Sequence, residues 1–395
     1  MKDLTYLKTY IIDTKNPKEI DDAISLEIDD SGRVYIWTHI SCPVMLFDFN
    51  SDVEKKAMHY CSSLYLINKY IPMIETEITK KANLEQNKVS ATLSTRMELS
   101  EDGSLMNYKI LESKIKPNYE LTFEEANELL DLQPKEEYEL AKLMDILMKS
   151  SEYRKKNGAI SFDMQYSKIE ISDNDNVVLK KIETTNAHRL ISEAMILTGY
   201  VYSDYLIKHN IPAPFRTQKV NCDTKEILDR NSNSLVKYSI LKQYIGKSYI
   251  TTKPNAHETL GLKSYVQGTS PLRRYLDLIV QRQIYSKLNN LSLISEQEIS
   301  GIIEICNKKQ QEVNSIIKEN KMRYLRIFFD NNEKIQKIIF IRWINKKRSI
   351  ALVYFPEYYL ESLILLYTSI DFYINKTYKV KYNKNETSSL LEFIN

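Results

Sequence analysis

Glycine is scarce in this sequence, eight in 395 residues, and cysteine is scarcer, with four. Cys42, Cys61, Cys222 and Cys306 form no CxxC pair. That excludes a zinc ribbon or a disulfide-stapled scaffold and fits a reducing cytoplasm. No apolar run approaches the roughly 18 residues needed to cross a bilayer. The opening MKDLTYLKTY lacks the apolar stretch of a secretory leader. No repeat is visible, which excludes a solenoid. Nor is one sign of charge in large excess: 55 Lys/Arg stand against 52 Asp/Glu, a net +3. What is present is a 43% hydrophobic content, enough for a sizeable core. Charge is unevenly placed. Gly301–Asn395 holds 16 Lys/Arg against 10 Asp/Glu, a surplus of +6, so the first 300 residues sum to −3. A basic C-terminal quarter suits a polyanion, although solvated helix faces in a lysine-rich chain give the same count.

Strands are predicted at Tyr10–Asp13, Ala23–Ile28 and, with good alternation, Arg33–His39, with a turn at Asp29–Gly32. Ser51–Tyr60 reads as a short helix, and Thr122 with Glu125 forms a capping-box start. Longer helices are predicted over Glu136–Lys156 and Ala187–His209. Ser270-Pro271 predicts another, with serine as N-cap and proline at the first helical position. Ser295 with Glu298 predicts a further capping box. Beyond residue 332 the pattern turns to short strands at Ile338–Trp343, Ile350–Phe355 and Thr377–Tyr382. The chain is therefore expected to be α+β, with residues 1–332 as one unit and 333–395 as a small β-rich one.

Two segments carry chemistry. Asp13, Glu19, Asp21 and Asp22 lie within ten residues, between two predicted strands. Four carboxylates in one loop repel each other unless water or a divalent cation offsets them. Mg²⁺ prefers such oxygen ligands. The second segment is Gly268-Thr269-Ser270-Pro271-Leu272-Arg273-Arg274-Tyr275. A helix N-terminus followed by a planar guanidinium suits phosphate oxygens. Each has an ordinary alternative: a solvated acidic loop, and a capped helix with surface arginines.

In order and spacing, these segments resemble the RNB domain of the ribonuclease II / ribonuclease R family. The resemblance runs over roughly residues 3 to 330. It takes in TYIIDTKNPKEIDDAISLEI, SSLYLINKYIPM, LTFEEAN, YRKKNGAISF, HRLISEAMI and IPAPFR, and most specifically HETLGLKSYVQGTSPLRRYLDLIVQR. It implies a mixed sheet core surrounded by helices, followed by an OB-like β domain that binds RNA. The implied activity is hydrolytic 3′-to-5′ degradation of single-stranded RNA to nucleoside 5′-monophosphates, through Mg²⁺-assisted attack of water, with Mn²⁺ able to substitute. No organic cofactor and no membrane are implied. The cold-shock domains of longer members have no counterpart before residue 3, so a short form is expected.

Residue by residue, the resemblance assigns Asp13, Asp21 and Asp22 to catalysis and metal binding. Glu19 joins the metal ligands where the family has aspartate, one methylene longer. Arg273 would grip the scissile-end phosphate, with Arg274 beside it. Tyr65 and Phe162 would flank the terminal base, and Glu193 would face the RNA cavity. Without the resemblance, Tyr65 and Phe162 read as core aromatics and Glu193 as a helix-boundary residue. His39 and His257 read as structural. The family's HIAD is His39-Ile40-Ser41-Cys42 here, and Thr198-Gly199 replaces a common asparagine. The longer Glu19 and the missing acid of HIAD motivate a second expectation, a catalytically impaired RNA-binding or scaffold protein of the same fold.

Overall fold

A computed structural model describes residues 1–160, 165–172, 174–221, 241–332, 335–385 and 388–395. Strands β1 (Lys2–Asp3), β2 (Thr9–Asp13), β3 (Asp22–Ile28) and β4 (Val34–Ser41) come first. A short hairpin, β5 (Leu64–Tyr65) and β6 (Tyr70–Ile71), precedes β7 (Ser90–Leu99), β8 (Leu105–Ile115) and β9 (Tyr119–Thr122). Seven of these make one sheet in the order β1-β8-β7-β4-β3-β2-β9. The long β7–β8 hairpin, which the sequence reading did not single out, closes at Ser100–Ser104.

Both faces of the sheet are covered, so its central strands are buried on both sides, with one face carrying a hydrogen-bonded row of Thr9, Ser25, His39 and Ser94 among apolar residues. Tyr10 and Ile12 of β2 point into the main core, while Ile11 packs with Leu4, Trp37 and Ile115 on the other face. The helices are α1 (Asp52–Tyr60), α2 (Thr76–Ala82), α3 (Phe123–Leu132), α4 (Tyr138–Lys156), α5 (Asn186–Lys208), α6 (Tyr275–Leu288) and α7 (Glu296–Asp330). Both expected capping boxes form: Thr122 with Glu125 opens α3, and Ser295 with Glu298 opens α7.

One expected helix start is corrected. Ser270 caps nothing; α6 begins at Tyr275, after a turn. The amides a helix would have used go elsewhere: Ser270 N–H donates to Asp277 (2.9 Å) and Leu272 N–H to Asp21 (2.9 Å). Arg274 stays extended and bridges to Ser62.

Hairpin β10 (Tyr166–Ile171)–β11 (Val177–Ile182) and the small pair β12 (Phe215–Thr217)–β13 (Tyr249–Thr251) lie outside the main sheet. The C-terminal strands β14 (Gln336–Asn345), β15 (Ile350–Phe355), β16 (Leu360–Tyr367), β17 (Thr377–Asn383) and β18 (Leu391–Ile394) close an OB-like barrel in the order β14-β15-β16-β18-β17. Closure leaves no free sheet edge. The barrel core also takes in Leu325, Phe328 and Phe329 from the end of α7, and Ile169 and Val177 from the β10–β11 hairpin.

Candidate active site

Strands β2 and β3 pair only at Thr9–Ser25 and Tyr10–Ile24, and then diverge. Beyond Tyr10, β2 is held on its other edge by β9, from Tyr10–Tyr119 to Asp13–Thr122. The opening between the strands is filled by the loop that carries Glu19 and Asp21. That loop is pinned at several points: Asn83 accepts from Ile20 N–H (3.1 Å), and Ser41 N–H donates to the Asp21 carbonyl (2.7 Å). Asp13 ends β2 and Asp22 begins β3, so both face one cleft of about 330 Å³ with Thr269, Ser270, Arg273 and Arg274.

The Ser270–Tyr275 turn is stitched to this loop from two sides. Leu272 N–H reaches Asp21 Oδ1, while Ser63 N–H donates to the Arg273 carbonyl (3.0 Å) and Tyr275 N–H to the Cys61 carbonyl (2.9 Å). Arg273 Nε then lies 3.4 Å from Asp21 Oδ2, and its Nη2 donates to Ser270 Oγ (3.0 Å). Arg274 pairs with the buried Asp277 at 2.7 Å. Two glycines permit this packing. A Cβ on Gly199 would meet the Tyr265 ring at 2.4 Å, and one on Gly268 would meet Tyr202 at 2.7 Å. The Thr198-Gly199 departure thus lets α5 press against the segment leading into the arginine turn, and Thr198 Oγ1 ties α5 to Thr38 of β4 (2.8 Å).

Burial dominates the electrostatics. It pushes the Asp21 carboxyl up to about 8, against the pull of Arg273 and the Leu272 amide, with Asp22 and Glu19 adding to the rise. Burial also pushes Asp22 up to about 7, with Asp13 reinforcing it, and raises Asp13 itself. Asp21 Oδ2 is buried and accepts no hydrogen bond. Three hard oxygen donors with one orphaned oxygen fit a hard divalent cation, whose charge would restore the ionised forms. Among the described residues, however, no three acidic, histidine or cysteine groups are already gathered as a finished metal cage.

Glu19 sits differently. Ser63 Oγ accepts from Met73 N–H (2.8 Å), so its own proton goes to Glu19 Oε1 (2.7 Å). The Tyr65 hydroxyl donates to Glu19 Oε2. Both oxygens of the longer side chain therefore have protein donors, a seat that the sequence did not reveal. Tyr65 keeps 43% of its surface exposed, its ring tilted against Tyr70, and its hairpin is braced by Asn320 of α7 through Ile67 N–H (3.0 Å).

Glu193 is not brought into the cleft. It is buried, with Arg154 donating to both oxygens and Ser150 donating to Oε1 (2.9 Å), while its neighbours Ile191, Ser192 and Met195 line the cleft. Arg154, 39 positions away, gave no sequence signal of this pairing. Phe162 lies outside the described residues. His39 is fully buried between Ser25 (3.0 Å) and Ser94 (2.7 Å), and burial depresses it to about 3. His257 is also buried and depressed to about 4.

The sequence matches the RNB domain over residues 1–290, and the chain belongs to the RNB-domain family. An uncharacterized ribonuclease of Synechocystis is 31% identical over 364 residues, covering 91% of this chain and 54% of that protein. An active-site mutant of the Dss1 exoribonuclease from Candida glabrata superposes on 100% of this chain and 55% of its own, with a TM-score of 0.89 at 19% identity. Ribonuclease R from Mycoplasma genitalium, in complex with ribose-methylated single-stranded RNA, superposes with a TM-score of 0.85 at 16% identity, over 100% of this chain and 71% of that one. The chain spans about half the length of the curated relatives it matches.

Proposed function

We propose that this chain is a divalent-metal-dependent exoribonuclease that hydrolyses single-stranded RNA from its 3′ end and releases nucleoside 5′-monophosphates. The observation that carries the reading is the shared cleft, in which Asp13, Asp22 and the Arg273 guanidinium face one space beside Asp21 Oδ2, which accepts no hydrogen bond and lies 3.4 Å from Arg273 Nε. Asp13, Asp21 and Asp22 would hold Mg²⁺, or Mn²⁺ in its place; when bound, the ion supplies Lewis-acid polarisation of the phosphodiester and a more acidic water. Arg273 meets the non-bridging phosphate oxygens with a planar fork and neutralises charge as it develops. Arg274, locked to Asp277, keeps the turn in register. Tyr65 offers its exposed ring to the terminal base, and stacking tolerates any base. Glu19 fixes the Tyr65 hydroxyl, and Glu193, through Arg154, braces α5 behind the cleft.

The ribonuclease R complex with single-stranded RNA supports RNA as the substrate class. The proposed division assigns residues 1–332 to catalysis and 333–395 to an RNA-binding barrel. Among the described residues no helix is long and apolar enough to cross a membrane, and Cys42, Cys61 and Cys306 are buried free thiols. Buried free thiols suit a reducing compartment, and a cytoplasmic location is part of this proposal. The deciding experiment incubates the full chain with 5′-labelled single-stranded RNA in Mg²⁺ or in EDTA. A ladder shortening from the 3′ end only with Mg²⁺, with mononucleotide product, is expected. Intact RNA retarded on a native gel would instead identify a non-catalytic RNA binder.

A further inference from the structure

The cleft does not end at Arg274. A second groove of about 580 Å³ shares Gln267 and Arg274 with it and continues past Arg216, Lys247 and Tyr249 towards α7. Its lining holds three cationic side chains, Arg216, Lys247 and Arg274, and one carboxylate, Asp277. That carboxylate is already engaged by Arg274 (2.7 Å) and by Ser270 N–H (2.9 Å). Arg216 is half-buried on β12. Its guanidinium donates only to neutral groups, the Gln267 side-chain oxygen and Ser248 Oγ (2.8 Å), and it forms no ion pair among the described residues. Burial and the neighbouring Arg274 both act against its charge. A guanidinium held by neutral acceptors, beside a second guanidinium, is costly unless an anion completes it. Tyr249 lies 48% exposed at the same groove and offers a ring face for a base.

We propose that Arg216 and Lys247 form a second phosphate subsite, separate from the Arg273 position and continuous with it through Gln267 and Arg274. The proposal rests on the exoribonuclease reading, which makes nucleotide phosphate the anion present. That phosphate has two sources with the same chemistry: a backbone phosphodiester of the RNA strand, or the phosphomonoester of a released mononucleotide.

The test uses the full chain in EDTA, where no turnover occurs, with fluorescent single-stranded RNA titrated at several salt concentrations, and separately with adenosine 5′-monophosphate by calorimetry. Arg216→Gln is expected to weaken the phosphate ligand on the order of tenfold. If the source is the backbone, it also lowers the salt slope of RNA binding by about 0.7, the value of one lost phosphate contact on a single strand. Arg216→Lys should keep that slope while binding less tightly, because it retains charge but loses the fork. Lys247→Gln, at an exposed side chain, should weaken binding several-fold. An RNA defect with a reduced slope assigns the subsite to the strand. Normal RNA binding with lost mononucleotide binding assigns it to product. Unchanged affinity of both variants for both ligands overturns the proposal. Should the wild-type chain bind no RNA at all, the exoribonuclease reading fails, and the mononucleotide arm still decides the subsite.

Discussion

Tyr65 has two separable functions, and two substitutions divide them. Tyr65→Phe keeps the ring and removes only the hydroxyl that donates to Glu19. A hydrogen bond to a charged group contributes about 1.5–3 kcal/mol when buried. Because Tyr65 is 43% exposed, water replaces part of that, and a loss of about 1 kcal/mol is expected, with a melting shift of a few degrees. Burial and Glu19 both push the phenol upward, so the hydroxyl remains protonated across the working pH range. Tyr65→Ala removes the ring as well. Stacking contributes about 1–3 kcal/mol per base, or roughly 5- to 150-fold in the residence of a short RNA end. Long RNA has other phosphate contacts and should be shortened at near-normal rate. Short RNA lacks them, so Tyr65→Ala should stop a few nucleotides earlier, while Tyr65→Phe should leave limit products of parental length. Denaturing gels of 5′-labelled limit products, read beside thermal melts, make the comparison. Identical limit products from all three proteins, with both variants equally heat-sensitive, would refute the stacking role and leave Tyr65 as a support for Glu19.

Asp22→Asn should abolish hydrolysis while leaving RNA affinity in EDTA equal or higher, since it keeps size and removes a charge that repels phosphate; binding isotherms and single-turnover assays decide. Glu19→Asp, which on family geometry alone should preserve or improve activity, is now expected to reduce activity and stability, because the shorter side chain withdraws from Ser63 and Tyr65 and costs about 1.5–3 kcal/mol; a melt and a rate at saturating RNA measure both. His39 is depressed from 6.5 to about 3, so the unfolded chain binds a proton in that window that the folded chain does not; stability present above 6.5 is lost as pH falls towards 3, on the order of 5 kcal/mol in all, and denaturant melts of His39→Asn across that range should show a shallower decline. Replacing Lys346, Lys347 and Arg348 by glutamate should lower the salt slope of RNA binding more than the hydrolysis rate if the barrel lies on the RNA path; an unchanged slope removes that face from it.

The local signals in the sequence were reliable where neighbours in sequence supply both partners. The two capping boxes formed with both reciprocal hydrogen bonds, and the strands flanking the acidic loop fell within a residue or two of their expected ends. Ser270-Pro271 failed as a helix start because its neighbour Leu272 gives its amide to Asp21, 251 positions away, and no local propensity anticipates such a competitor. The same distance effect hid the Arg154–Glu193 pair and the Ser63 seat of Glu19. In the barrel, three strands were legible as short runs rich in β-branched and aromatic residues. Leu360–Tyr367, a leucine-rich run, and Leu391–Ile394, only four residues long, were not.

Helix α7 makes the proposed boundary after residue 332 a boundary of sequence more than of cooperativity. Its last two turns place Leu325, Phe328 and Phe329 in the barrel core, and a hairpin more than 150 residues earlier contributes Ile169 and Val177. Side chains from both complete the barrel's interior, so a barrel cut at that point is expected to fold less stably than it does within the chain. A chain shortened there would display a greasy helix end and invite self-association. Slow-exchanging amides of the barrel and of the end of α7 should open together, with one free energy, as a single foldon.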